Sequence, residues 1–260
     1  MILTVIIPTY KEPEYLDLCL ESAIKGQVNK NEIIVVVDGF YELNKPILDK
    51  YKDNIQVLNL EANQGLSVAT NWGVYNATSD YILVVNDDNV FPSKWDHHLT
   101  PHLRKGSVVT PNEMEPGPSM FKQKHIKNLG QHPREFSLES FWKYEESIQT
   151  TSPDLTGSTL PFAMYKADYL AVGGWDIMYP SPHVVDWDFF LKCEYFGMEM
   201  VRIYKHFYHF CGAATRQTLE QSNESSRKET LAHEFFAGKW GQYAEHNTIS
   251  NSKMIKILKN

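Results

Sequence analysis

Four apolar runs, at residues 3–7, 33–37, 55–60 and 81–85, alternate with segments of helical spacing at 13–24, 42–51 and 66–75. A strand that shows one face to water alternates apolar and polar residues. The runs at 3–7, 33–37 and 81–85 are almost continuously apolar and rich in β-branched residues, so both of their faces must be covered. Such alternation predicts an α/β fold with a mainly parallel central sheet and helices on both faces. In open sheets of this kind a ligand sits beyond the carboxyl ends of the strands, and the polar residues just after each run become the candidates for function.

Those positions carry hydroxyls and carboxylates in succession. Pro8, Thr9, Tyr10 and Glu12 follow the first run, Asp38 and Gly39 the second, and Asn86, Asp87 and Asp88 the fourth. Any one of them could cap a helix or make a turn. Their recurrence at successive strand ends favours a shared site. The net charge of -7 and pI near 5.8 disfavour nucleic acid as a partner, because phosphate-binding surfaces concentrate Lys and Arg. No apolar run approaches the roughly 20 residues of a transmembrane helix. Cys19, Cys193 and Cys211 are an odd number without CxxC spacing, which points to neither a disulfide framework nor a zinc cluster. A cytoplasmic protein is expected. The final segment SNSKMIKILKN alternates lysines with apolar residues and could touch a membrane surface, although a docked tail is the simpler reading.

The segments VIIPTYKE, EIIVVVDGF, NQGLSVATNWGV and YILVVNDDNVFPSKW, in that order, resemble the nucleotide-sugar-binding half of the family 2 glycosyltransferases, which have the GT-A fold. GSTLPFAMYKADYLAVGGWD and VVDWDFFLK resemble the acceptor-side half of the same family. The resemblance covers roughly residues 2–209. It implies one GT-A domain over 1–245, with a donor half (1–110), an acceptor and catalytic half (111–245), and a tail (246–260). It also implies an inverting transfer of sugar from a UDP- or dTDP-linked donor to a hydroxyl of a glycan, lipid-linked or protein acceptor, with Mn2+ or Mg2+ as cofactor.

Residue roles follow from the same resemblance. Asp88 takes the position of the last, metal-touching carboxylate of the D-x-D motif, and Asn86 stands where the first Asp usually does, as in the NxD variant of rhamnosyltransferase-like members. A hard cation held there can neutralise the departing diphosphate. Asp87 either joins this site or points toward the core. Asp38 takes the nucleoside-contacting position, and Pro8, Thr9, Tyr10 and Glu12 the first nucleotide loop. Asn63, Gly65 and Asn71 fall in the segment bordering the donor pocket. Asp186 takes the place of the general base and Val185 that of the usual Glu before it, while Asp188 reads as a first-turn carboxylate favoured by the helix dipole. His209, in HFCGAAT, is preferred to His206 as a second metal ligand. Trp175 and Trp187 could stack on sugar or fill the core. His97 and His98 read as a solvated helix face. Residues 111–134, rich in Pro and Gly, read as a long loop, and a helix is expected over 218–238.

A nucleotidyltransferase, a sugar-binding module and a transferase fold without activity are the competing classes. The first should show a Gly-rich basic phosphate loop near the N-terminus, which IIPTYKEPEY lacks. The second does not need Asp88 and Asp186 together.

Overall fold

The computed structural model describes residues 2–117, 125–148, 160–210, 219–241 and 255–258. In chain order the elements are β1 (Thr4–Thr9), α1 (Pro13–Gly26), β2 (Glu32–Asp38), α2 (Tyr41–Lys50), β3 (Gln56–Leu60), α3 (Leu66–Asn76), β4 (Tyr81–Val84), β5 (Asn89–Val90), α4 (Trp95–Leu99), β6 (Ser107–Glu115), β7 (His125–Ile126), α5 (Leu138–Ser147), β8 (Phe162–Tyr165), α6 (Lys166–Ala171), α7 (Val185–Tyr195), β9 (Glu199–His209), α8 (Leu219–Trp240) and β10 (Ile255–Leu258). The strands join one sheet ordered β10-β9-β6-β8-β4-β1-β2-β3, with β5 added to β9 and β7 to β6.

Strand direction gathers the site. Strands β1 to β4 are mutually parallel where they pair, β8 is antiparallel to both β4 and β6, and β6 is parallel to β9. Two inversions through β8 restore the direction. The carboxyl ends of β6 and β9 therefore emerge at the same rim as those of β1, β2 and β4.

Alternation along each strand explains why the runs are apolar throughout. Ile6, Ile34, Val36, Ile82 and Val84 pack on one face with residues of α3, α7 and α8. Val5, Ile7, Ile33, Val35 and Leu83 pack on the other with residues of α1, α2 and α4. Fully burying such a side chain contributes about 1.5–3 kcal/mol. Gly73 brings α3 onto this sheet, since a Cβ there would stand 2.5 Å from Ile6 Cγ2 and 3.0 Å from Val36 Cγ2.

Two expectations change. Residues 111–115 are not loop but the end of β6, with Glu113 opposite Phe207 and Met114 opposite Tyr208 on β9. Strand pairing overrides the composition signal of the prolines around them. His98 is half-buried rather than solvated, and burial, with Lys205 next in weight, pushes its pKa down. Ile255–Leu258, in the segment read as a docked tail, pairs in parallel with β9 at the sheet edge. No helix among the described residues is long and apolar enough to cross a membrane.

Candidate active site

At the β1–β2 corner, Thr9 and Asp38 end their strands buried, 3% and 4% exposed. Thr9 Oγ1 donates to Asp87 Oδ2 at 2.6 Å. Asp38 holds the turn that opens α3: its Oδ1 accepts the Gln64 N–H at 2.6 Å, and its Oδ2 accepts the Gly65 N–H at 2.9 Å and Asn63 Nδ2 at 3.0 Å. Gly65 makes this turn possible with φ +91. Burial raises the Asp38 pKa and the two backbone N–H groups pull it down. A carboxylate has about four acceptor positions, so three donors leave Asp38 with little capacity for a nucleoside. Its main work in this structure is to fasten the Asn63–Gly65 turn to β2.

Beside it, Tyr10 and Phe40 meet edge to face at 5.1 Å, with Lys11 Nζ 4.7 Å from each ring centroid. Phe40 is 49% exposed and left-handed, φ +56, a conformation that costs a non-glycine residue about 1–2 kcal/mol. The sequence reading missed Phe40. Its signal was an aromatic directly after VDG, at the end of a strand. Pro8 is buried within β1, and Glu12 caps α1 through its backbone carbonyl, which accepts Tyr15 and Leu16 N–H.

Asn71, expected in the segment bordering the donor pocket, makes its hydrogen bonds within the fold. Its Oδ1 accepts the Tyr169 hydroxyl at 2.6 Å and the Trp175 N–H at 2.9 Å, and its Nδ2 donates to the Trp175 carbonyl at 2.8 Å. The side chain fastens α3 to the turn at 173–175, where Gly174 has φ +60 and a Cβ would approach Asn71 Oδ1 to 2.6 Å. Asn71→Ala strands buried donors at about 1–3 kcal/mol each. It is expected to lower the unfolding midpoint in urea while moving nucleotide affinity less than about threefold. A tenfold loss of affinity at unchanged stability would return Asn71 to the donor pocket.

The fourth strand end meets β9. The short ladder of β5 places Asn89 opposite His209, and Phe210 N–H donates to the Asp88 carbonyl at 3.1 Å. This brings His209 Nε2 to 3.5 Å from Asp88 Oδ2, while Asn89 Nδ2 donates to Asp88 Oδ1 at 3.2 Å. Burial opposes the charge on Asp88, but the His209 cation beside it holds its pKa below the usual value. Asp87 goes the other way: burial first, then the charge of Asp88, push it up to about 7, against the Thr9 hydrogen bond. Asp87 is half-buried, with its Oδ2 held by the Thr9 hydroxyl.

Two residues that the sequence reading did not single out complete this corner. Glu113 and Glu115, two apart on β6, share a face. Their exposures are only 6% and 1%. His209 Nδ1 lies 3.1 Å from Glu115 Oε1 and 3.7 Å from Glu113 Oε1, and one ligand atom from each of the three residues falls within 4.8 Å of the others. Burial would lower the His209 pKa, but Asp88 and Glu113 raise it well above the ordinary imidazole value. The signal that could have found the pair was E-x-E following the apolar start of β6, hidden by Pro111 and Pro116. Carboxylates with one imidazole suit a manganese-like divalent ion. The Oδ1 atom of Asn86, in the same strand-end segment as Asp88, is buried and meets no hydrogen-bond donor among the described residues. The donor set therefore fits the ion that the sequence implied. His206 does not join it: its N–H donates to Glu145 Oε1 at 3.1 Å and its ring lies 5.3 Å from that of His125. Gly212, in the same motif as His209, lies outside the described residues.

Asp186 is the second residue of α7 and half-buried. Val184 before the helix is left-handed, φ +54, an outlier for a β-branched residue. His183 next to it is held between Ser181 Oγ at 3.0 Å and Ser225 Oγ on α8 at 3.1 Å. Val185 is core, packed with Phe189, and Trp175 is core as well at 1% exposure. Trp187 is half-buried, its ring 6.5 Å from that of His233. Asp188 does more than face the helix dipole. It is fully buried and accepts from Trp240 Nε1 at 2.8 Å, Lys239 Nζ at 2.7 Å and the Tyr179 hydroxyl at 3.2 Å.

Comparison with known proteins gives the family and the fold. A family model described as glycosyl transferase family 2 matches residues 4–173. The uncharacterized glycosyltransferase YibD of Escherichia coli K12 is 36% identical over 101 residues, covering 38% of this chain and 29% of its own length. Glycosyltransferase GlyG of Streptococcus pneumoniae is 33% identical over 92 residues, covering 34% of this chain and 31% of its own. These matches span about a third or less of either relative's length. Among solved structures, Staphylococcus aureus TarS 1–349 in complex with UDP superposes with TM-score 0.56 at 16% identity, over 98% of this chain and 76% of that one. Mannosyltransferase PcManGT of Pyrobaculum calidifontis, in complex with GDP-Man and Mn2+, gives 0.58 at 14% identity, over 93% and 65%. At such identity the likeness is one of fold.

Proposed function

Because this chain belongs to glycosyl transferase family 2 and has the GT-A fold, we propose that it transfers a sugar, with inversion, from a UDP- or dTDP-linked donor to an acceptor hydroxyl. The observation that carries this reading is the Asp88–His209 pair, set by the β5–β9 ladder at the rim that also holds Thr9 and the Asp38-fastened turn. Two relatives of the fold, one in complex with UDP and one with GDP-Man and Mn2+, support the choice of ligand class.

In this reading Asp186 accepts the proton of the acceptor hydroxyl as its oxygen attacks the anomeric carbon, so one carboxylate suffices and configuration inverts. A bound Mn2+ or Mg2+ supplies positive charge to the departing diphosphate. Asp88 and His209 hold that ion. The N–H groups of Gln64 and Gly65 are taken by Asp38, and it is the first turn of α3, beginning at Leu66, whose N–H groups lack intrahelical acceptors and favour an anion. Tyr10, Phe40 and Lys11 offer an aromatic wall with one cation for the nucleobase. The acceptor, whether glycan, lipid-linked sugar or protein, meets the half of the domain that begins near residue 111.

Thermal unfolding with UDP, dTDP and GDP, each with and without Mn2+, tests the donor site. Saturating ligand at about 100 times its Kd should stabilise the wild type by about 2.7 kcal/mol, and Asp88→Ala should lose the metal-dependent part. Absence of any nucleotide response would sink the reading and favour a sugar-binding or inactive member of the fold.

A further inference from the structure

The carboxylates around His209 outnumber what a site needs to hold an ion against a diphosphate. Asp88, Glu113 and Glu115 bring three negative charges to one imidazole, at side-chain exposures of 16%, 5% and 2%. Buried like charges are costly unless a cation answers them. Arg202, 5% exposed, lies within electrostatic reach of Glu113 and supplies one positive charge. With His209 neutral and ligating, a divalent ion and Arg202 together balance the three carboxylates. Without the ion, even a charged His209 and Arg202 leave the three carboxylates one positive charge short of balance.

A second observation points to the same occupant. Asn89 is 1% exposed, and its Nδ2 is committed to Asp88 Oδ1 at 3.2 Å. Its Oδ1 meets no hydrogen-bond donor among the described residues, and neither does Asn86 Oδ1 three residues earlier. Buried amide oxygens without a facing N–H or O–H are groups that a cation or its bound water satisfies.

We propose that Glu113 and Glu115 join Asp88 and His209 in a box that binds a divalent cation in the absence of nucleotide, so that the ion is resident before the sugar donor arrives. This rests on the glycosyltransferase reading only for the use of the ion, not for its binding. A site whose charge is already balanced by protein does not need the diphosphate to complete it, whereas a site with a single carboxylate does. The imidazole ligand favours Mn2+ over Mg2+, which prefers oxygen.

Titration of the nucleotide-free protein with Mn2+, followed by the EPR signal of free Mn2+, tests the box directly. One ion per chain with a Kd in the low micromolar range or below is expected, and Mg2+ should compete poorly. Glu113→Gln and Glu115→Gln, which keep side-chain size, should each weaken Mn2+ by about tenfold or more, while Asp49→Asn, in an exposed pair with Lys45, should not. Far-ultraviolet circular dichroism of each variant establishes that it is folded. Millimolar affinity in the wild type, or Mn2+ binding that appears only when UDP or dTDP is added, overturns the proposal, as does wild-type Mn2+ affinity in both glutamine variants. The two readings fail separately. Tight Mn2+ binding with no nucleotide response would leave the box standing and remove the transferase, and nucleotide-dependent binding would do the reverse.

Discussion

Asp186→Asn is expected to lower sugar transfer by about 10²–10⁴-fold while leaving nucleotide affinity and the unfolding midpoint close to those of the wild type. The carboxamide has nearly the size of the carboxylate but cannot take up a proton. Asp186 sits in the first turn of α7, half-buried and four residues before the buried Phe190, where the fully packed Val185 on one side and the occupied Asp188 on the other leave it as the carboxylate of this turn not enclosed in the core. The measurement is turnover of a UDP- or dTDP-sugar against glycan, lipid-linked and peptide acceptors, with nucleotide Kd determined in parallel. Loss of turnover at unchanged Kd separates a base from a binding residue. Transfer at the wild-type rate would remove Asp186 from the mechanism.

What could be read from the sequence was what local pattern encodes. The strands β1, β2 and β4 announce themselves because both of their faces are buried, which forces a continuous apolar run. Parallel direction then assigns Thr9, Asp38 and Asp88 to one rim without any knowledge of contacts. What stayed hidden depends on partners far along the chain. Asp88 meets His209 through a ladder of two residues, Asn89 and Val90, too short to leave a pattern. Glu113 and Glu115 sit in a strand whose prolines look like a loop until β9 pairs with it. Asn71 lies among residues that resemble a donor-binding segment, yet its hydrogen bonds reach Trp175, 104 positions away. In each case residue type was informative about polarity and silent about partner. The carboxylate of Asp38 shows the same limit within one site, since an acidic residue at a strand end is equally suited to a ligand or to the N–H groups of a neighbouring turn.

Asp188 is the strongest instance, and its replacement by alanine is expected to destabilise the protein by about 3–5 kcal/mol. As a first-turn helix carboxylate on the surface it would contribute about 0.3–1 kcal/mol. The larger figure follows from its surroundings. Asp188 has no solvent exposure, Lys239 Nζ stands 2.7 Å and Lys192 Nζ 3.5 Å from its two oxygens, and Trp240 and Tyr179 donate to it as well. Alanine would leave two largely covered ammonium groups beside a void. Asp176, 2.6 Å from Lys239, offsets part of that loss. The partners come from the end of α8, whose Ala232 and Phe236 are fully buried in the same core as Val185 and Phe189 of α7. Hydrogen exchange should therefore show protection falling first along residues 223–240, with the urea midpoint lowered in the same variant. Because the first turn of α7 carries both aspartates, a loosened α8 should also reduce transfer through Asp186 without abolishing it, and Asp188→Asn, which keeps an acceptor oxygen, should fall between. A loss below about 1 kcal/mol with unchanged exchange in α8 would mean that the surrounding lysines find other partners, and that α8 is held by its apolar face alone.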